Sequence, residues 1–305
     1  MPDPRHPVTV EVDGRTLRLT SLDKVLYPAT GTTKAEVITY LTQVSGPLLH
    51  QLHDRPLTRL RWPHGVSGES FFEKNVPKGA PGWIRTVTVD SPGSTRGHER
   101  VVYPLVDDVA GLTWLGQVGA LELHTPQWTV DLSADSPSEV SRGADRMVID
   151  LDPGPGAGLH ACAQVALLVR ERLSAVGLTT LRPVTSGSKG LQLYAELPDR
   201  WPSDQVREAA RLLAEGLASE HADLVVSSMA KVLRPGKVLL DWSQNVAAKT
   251  TITPYSLRGK QPAPFVAAPR TWAEVERGAD GERFEQLGPA DVVRRLDELG
   301  DLMVG

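Results

Sequence analysis

Apolar and polar residues alternate between Val8 and Leu19, with Val8, Val10 and Val12 before an Asp13-Gly14 pair and Leu17 and Leu19 after it. That pattern predicts a β-hairpin. Residues 33–52 change to helical spacing, opened by Thr32 or Thr33 as N-cap, with Glu36 three positions beyond Thr33. The Gly, Pro and charge of residues 62–80 predict loop or short strand. A polar, glycine-bearing loop is expected at 91–99, then a strand at 100–106, a helix at 108–121 and a strand-like exit at 121–128. In the second half, a strand at 147–151 ends at Asp152-Pro153-Gly154, and a helix runs to Val176, where Gly177 stops it. Strands at 181–185 and 191–197 flank a tight turn, an amphipathic helix covers 204–221, and a buried strand covers 237–242. Strands and helices interleave without a strict repeat, so the class is mixed α/β or α+β. A chain of 305 residues fits one elaborate domain or two closely packed lobes.

No apolar run approaches the roughly 18 residues that cross a bilayer, and the first residues lack the apolar stretch of a signal peptide. A cytoplasmic protein without a membrane partner is expected. The single cysteine, Cys162, falls in a helical apolar pattern, where core packing is its expected role. Net charge is −4, too acidic for a protein that coats nucleic acid by bulk charge. Its distribution changes the picture: residues 231–270 hold seven Lys or Arg (Lys231, Arg234, Lys237, Lys249, Arg258, Lys260, Arg270) against one acid, Asp241. A basic face on an acidic body suits a protein that grips phosphates on one side.

Asp150 and Asp152 flank Leu151 on a predicted strand, whose period of two sends both carboxylates to one face while Ile149 and Leu151 enter the core. Adjacent anions repel, and a divalent cation relieves them; an all-oxygen set favours Mg²⁺ or Mn²⁺. Asp241 ends another apolar strand, and three such carboxylates suit two ions. Taken alone, an Asp-x-Asp pair is as readily a solvated strand end. The Pro-Gly that follows has a calcium-loop look, but Ala161 occupies the twelfth position where an EF-hand needs Glu. Residues 185–190 (Thr-Ser-Gly-Ser-Lys-Gly) offer hydroxyls, Lys189 and backbone amides to a phosphate, or form a plain turn. They are not a Walker A loop, since Pro183 and Ser188 stand where that motif needs glycine. Arg258 adds a fork-shaped donor. Phe71 and Phe72, two of only four phenylalanines, lie in a loop flanked by Arg61 and Lys74, a combination suited to base stacking beside a phosphate track or to plugging a core. His124 falls on the strand face opposite Leu121 and Leu123, where a lone histidine is more often structural.

Together these segments resemble the polymerase domain of bacterial multifunctional end-joining ligases, within the archaeo-eukaryotic primase superfamily. The resemblance runs from about Leu19 to Leu302. It is carried by Asp23 to Pro28, Arg61-Trp62-Pro63, Phe71 to Asn75, Leu121 to Trp128, Asp150 to Gly154, Ser186 to Gly190, Asp241 to Asn245 and Pro254 to Arg258. It implies an α+β primase-polymerase fold over residues 1–305, with an N-terminal lobe at about 1–120 for DNA ends and template and a catalytic sheet lobe at 121–305. It implies that Asp150, Asp152 and Asp241 hold two Mn²⁺ or Mg²⁺ ions, and that Ser186, Lys189, Arg258, Arg234 and Gln244 grip the incoming NTP or dNTP with His124 nearby. Phe71 and Phe72 would stack on template with Arg61 and Lys74 alongside, and Lys24 and Lys34 would bind the 5′-phosphate of a downstream strand at a gap or end. Ku and a separate ATP-dependent DNA ligase are the implied partners, and the nucleoid the implied location. Two positions depart from the family pattern: Gln192 stands where many relatives have His, and Ser21 where relatives often have Asn.

No Lys-x-Asp-Gly adenylation motif is present, so no ligase activity is expected, and the expectation is one polymerase domain without a ligase or nuclease domain. Two other readings of the residues remain open. A Mn²⁺-dependent glycosyltransferase would use Asp150-x-Asp152 on a nucleotide sugar but has no use for the paired phenylalanines or the basic strip. A non-catalytic DNA-end binder would keep the fold without needing Asp241.

Overall fold

In a computed structural model that describes residues 7–90 and 100–304, the predicted hairpin opens the chain. Strands β1 (Val8–Val12) and β2 (Arg15–Leu19) pair antiparallel, and Asp13 and Gly14 both take positive φ, 49° and 69°, as a tight two-residue turn requires. A small ribbon, β3 (Val25–Tyr27) and β4 (Thr32–Thr33), leads into α1 (Lys34–Gln43). Thr33 caps that helix in a capping box: Glu36 N donates to Thr33 Oγ1 at 3.3 Å, and Thr33 N to Glu36 Oε2 at 2.7 Å. The single helix expected over 33–52 is two, because α2 (Ser45–Leu52) starts afresh after Val44. Pro47 is the cause: without an N–H it cannot continue a ladder from α1, yet it fits the first turn of a new helix.

The first sheet runs β16 (Thr251–Ile252), β9 (Ala120–Thr125), β5 (Thr58–Arg61), β6 (Phe71–Glu73), all antiparallel. Phe71 and Phe72 therefore lie on an edge strand rather than in the expected loop. The ribbon of β7 (Arg85–Asp90) and β8 (Arg100–Leu105) packs on Trp128, Val130 and Val140 and is followed by α3 (Val109–Gln117), which Asp108 caps at Gly111 N, 2.7 Å. The loop expected at 91–99 lies outside the described residues.

The second sheet is built on β11 (Ser141–Pro153), longer than the 147–151 strand predicted. β13 (Leu191–Trp201) pairs along one edge of it; β10 (Trp128–Val130) and β15 (Val238–Asp241) share the other. β14 (Val225–Val226) extends the sheet beyond β15, and β12 (Leu181–Thr185) with β17 (Ala268–Pro269) extends it beyond β13. Alternation along β11 divides the molecule. Met147, Ile149 and Leu151 pack against α4 (Leu159–Ala175) and α5 (Ser203–Glu220) in one apolar core. Val148, on the other face, joins a second core with α1, α2, α3 and the first sheet. Helix α4 buries Cys162, Val165, Ala166, Val169 and Leu173, with Cys162 fully buried beneath Leu151 as its apolar setting predicted. Burying each of its larger aliphatic side chains contributes roughly 1.5–3 kcal/mol. Helices α6 (Trp272–Ala279) and α7 (Pro289–Leu299) close the chain, α6 against α4 and α7 against α1. No helix among the described residues is long and apolar enough to cross a membrane.

Candidate active site

The β11 face that meets the second core ends in Asp150 and Asp152. Asp150 is paired directly with Asp241 of β15 on one side and with Gln192 of β13 on the other. Cross-strand partners share a face, so three carboxylates converge there: alternation predicted the Asp150–Asp152 pair, and the register of β15 adds Asp241. Asp241 is held rigidly: Ser243 N donates to its Oδ1 at 2.9 Å and Gln244 Nε2 to its Oδ2 at 2.7 Å. Gln244, expected at the nucleotide, thus orients Asp241. Burial, then the charges of Asp152 and Asp241, push the Asp150 carboxyl well above the usual carboxylate range. Asp152 is raised too, by burial and by Asp241. Carboxylates on one face whose ionisation is opposed by burial and by one another suit a hard divalent cation.

Positive charge surrounds this face. Arg234, Arg258 and Lys189 all act on the Asp152 carboxylate. Arg258 lies over Gly187, at φ 69°, where an added Cβ would meet the Arg258 Cγ at 2.5 Å; only glycine lets the arginine approach. Lys189 is exposed on the same loop. The loop's amides are not the open phosphate cradle that its composition suggested. Ser188 N and Gly190 N donate to Ser186 Oγ (3.3 and 3.2 Å), and Gly187 N to Gln286 Oε1 (2.7 Å). Ser186 and the glycines shape the turn, which presents Lys189. Arg234 donates to Met229 O at 2.7 Å, and its chain segment packs on Gly154.

Glu122 is a site residue that the sequence reading passed over. It is 1% exposed, and receives Gly259 N at 3.0 Å, Arg258 Nη1 at 3.4 Å and His124 Nε2 at 2.9 Å. Burial alone would raise its carboxyl, but bonds and charge from His124, Arg258 and Gly259 hold it at about 2. The signal was the same alternation that placed His124: Glu122 shares its face. Glu122 therefore ties His124 to Arg258.

Lys24 and Lys34 come together at the foot of α1. Lys24 Nζ donates to Pro63 O at 3.1 Å and Lys34 Nζ to Thr20 O at 2.9 Å, while Lys34 N bonds Lys24 O at 2.8 Å. Burial and the charge of Lys24 lower the Lys34 pKa, as two cations without an anion should. Tyr27 hydroxyl donates to Arg258 O at 2.9 Å and ties this segment to the carboxylate site. Ser21, at φ 51°, opens the turn.

Phe71 and Phe72 are 38% and 43% exposed on edge strand β6. Neighbouring strand residues face opposite ways, and both reach solvent because β6 has one free side. Lys74 follows directly. Arg61, expected on a DNA track, instead gives its fork to Glu73 (2.9 and 2.7 Å) and Val118 O (2.8 Å), which fixes β6 on β5. Elsewhere His53, Asp54 and Asp107 place ligand-type atoms within 4.8 Å of one another, but the Arg85 guanidinium already pairs with both carboxylates.

A family model described as "LigD, primase-polymerase domain" matches residues 33–303. The chain belongs to the LigD primase-polymerase domain family. It is 46% identical over 286 residues to the multifunctional non-homologous end joining DNA repair protein LigD of Mycobacterium tuberculosis H37Rv, covering 93% of this chain and 36% of that protein. The bifunctional non-homologous end joining protein LigD of Bacillus subtilis is 35% identical over 261 residues, covering 85% and 39%. The solved polymerase domain of Mycobacterium tuberculosis ligase D in complex with DNA superposes with a TM-score of 0.87 at 44% identity, covering 94% of this chain and 96% of that one. The chain thus spans little more than a third of these curated relatives. The α+β fold expected from the motifs is the fold of this family.

Proposed function

We propose that this chain is a DNA-directed nucleotidyltransferase that adds NTPs or dNTPs to a primer 3′-hydroxyl at short gaps or broken ends. The observation that carries the reading is the direct pairing of Asp150 with Asp241 beside Asp152, faced by Arg258, Arg234 and Lys189. Mg²⁺ or Mn²⁺ ions held by the three carboxylates would lower the pKa of the attacking hydroxyl and neutralise charge on the leaving pyrophosphate. Lys189 and Arg258 grip the triphosphate, so that the α-phosphate lies in line with the hydroxyl. Glu122 keeps the Arg258 fork aimed, and Gln244 keeps Asp241 turned toward the shared face. Phe71 and Phe72 offer exposed rings to unpaired template bases. Lys24 and Lys34 take the downstream 5′-phosphate, whose charge offsets their repulsion.

These relatives are non-homologous end joining proteins, and identity over most of this chain supports the same repair role here. Ku and an ATP-dependent ligase are the partners that role brings, acting in the nucleoid. Primer extension on gapped DNA with Mn²⁺ tests the reading: pyrophosphate-releasing, template-matched addition is expected, and DNA binding without addition would replace it with an end-binding role.

A further inference from the structure

At the other end of the same β11 face, two alternations from Asp150, stands Arg146. It lines a cavity of about 650 Å³ between the end of α2 and the second sheet, with the C-terminal residues Met303 and Val304 on its rim. Arg146 is 7% exposed, yet among the described residues its guanidinium bonds only neutral acceptors: Gln127 Oε1 at 2.8 Å, Gln51 Oε1 at 3.0 Å, Thr125 Oγ1 at 3.1 Å and Pro126 O at 3.5 Å. The Tyr194 ring lies 5.2 Å from it. Burial, then the charge of Arg55, lowers its pKa to about 9.

Three more arginines line the cavity. Arg55 donates to both oxygens of Asp145 (2.8 and 2.7 Å), and Arg200 reaches the same carboxylate at 3.7 Å. Arg182 bonds only a main-chain oxygen, Leu302 O at 3.3 Å, among the described residues. The lining therefore holds four guanidiniums against two carboxylates, Asp145 and Glu196, and 4 − 2 leaves two uncompensated positive charges before His50 is considered. A concave wall of one sign focuses potential, and an unpaired buried cation is costly until an anion meets it.

We infer that this cavity is a second anion site that takes a small phosphate-bearing molecule of pyrophosphate or mononucleotide size, separate from the substrate site at Asp150. Guanidinium forks match phosphate oxygens in pairs, and the volume falls in the range of about 300–1,000 Å³ typical of small-molecule sites. The phosphate comes either from a free molecule or from the terminal phosphate of a single strand.

The test is calorimetric titration of the full chain, in EDTA, with pyrophosphate and separately with a 5′-phosphorylated hexanucleotide. The proteins are wild type, Lys189→Ala, Arg182→Gln/Arg200→Gln and Glu196→Gln. Saturable binding is expected in wild type and in Lys189→Ala, which alters the substrate site alone. Loss of two rim charges should weaken it about tenfold or more, and Glu196→Gln should tighten it about two- to threefold. Binding of pyrophosphate assigns a free ligand; binding of the hexanucleotide alone, with the same variant response, assigns a strand end. Absence of binding by either probe, or binding that Arg182→Gln/Arg200→Gln leaves unchanged, overturns the site. Primer extension by the Arg182→Gln/Arg200→Gln protein should match wild type, so failure here is distinguishable from failure of the polymerase reading.

Discussion

Asp150 faces Asp241 directly across the ladder between β11 and β15, so two carboxylates of one apolar sheet are neighbours by backbone register. No loop flexibility separates them. In metal-free protein that pairing is a cost, and Asp150→Asn removes part of it. The variant's thermal midpoint in EDTA should rise by about 2–4 °C, on the order of 1 kcal/mol. Calorimetry checks this; a lower midpoint would mean that the ionised carboxylate is stabilised by something other than a cation.

Glu122 gives a pH-dependent prediction. Its folded pKa of about 2 lies below the ordinary value of 4.5, so the folded state favours its charged form. Its contribution is full above pH 4.5 and is lost as pH falls from there to about 2, with a magnitude of roughly 3 kcal/mol. Glu122→Gln should therefore be less stable than wild type at pH 7, with the gap narrowing below pH 4.5. Urea denaturation at pH 7 and pH 3 measures it; a constant gap would show that His124, Arg258 and Gly259 do not depend on the charge.

Much of this was legible in the sequence because strand alternation is strict. It placed Asp150 with Asp152 on one face, helical spacing placed Cys162 in a core, and the Thr33 cap was written in Thr33 and Glu36. What local pattern could not supply depended on pairing partners elsewhere in the chain. Pairing of Asp150 with Asp241 joins residues 91 positions apart (241 − 150), and nothing local encodes it. The amides of the 186–190 loop looked free because Gln286, which takes Gly187 N, lies 99 residues away. Arg61 looked like a DNA contact because its bond to Glu73 requires β5 and β6 to pair. The turn of β3 and β4 and the two-residue strands β14, β16 and β17 are too short to carry any period at all.

Lys24 and Lys34 are each anchored to a main-chain oxygen and held near one another. A downstream 5′-phosphate should bind wild type about tenfold more tightly than a 5′-hydroxyl, and the Lys24→Ala/Lys34→Ala protein should not discriminate. Fluorescence anisotropy on matched gapped DNAs measures the ratio. Equal binding of both DNAs by wild type would remove the pocket.

Ser21 adopts φ 51°, a left-handed conformation that asparagine tolerates better than serine. Ser21→Asn should raise stability by about 0.3–1 kcal/mol without changing the fold, read from the urea midpoint at constant slope. A destabilised variant would show that the serine makes a contact which outweighs the backbone preference.

Primer extension on gapped DNA with Mn²⁺, run beside DNA anisotropy on the same preparations of wild type, Asp150→Ala and Asp241→Ala, tests the assignment of these carboxylates most directly. Nucleotide addition should fall by about 10³-fold or more in both variants while DNA affinity stays within about twofold of wild type. Retention of about a tenth of the wild-type rate by either variant would contradict a metal site built on the Asp150–Asp241 pair.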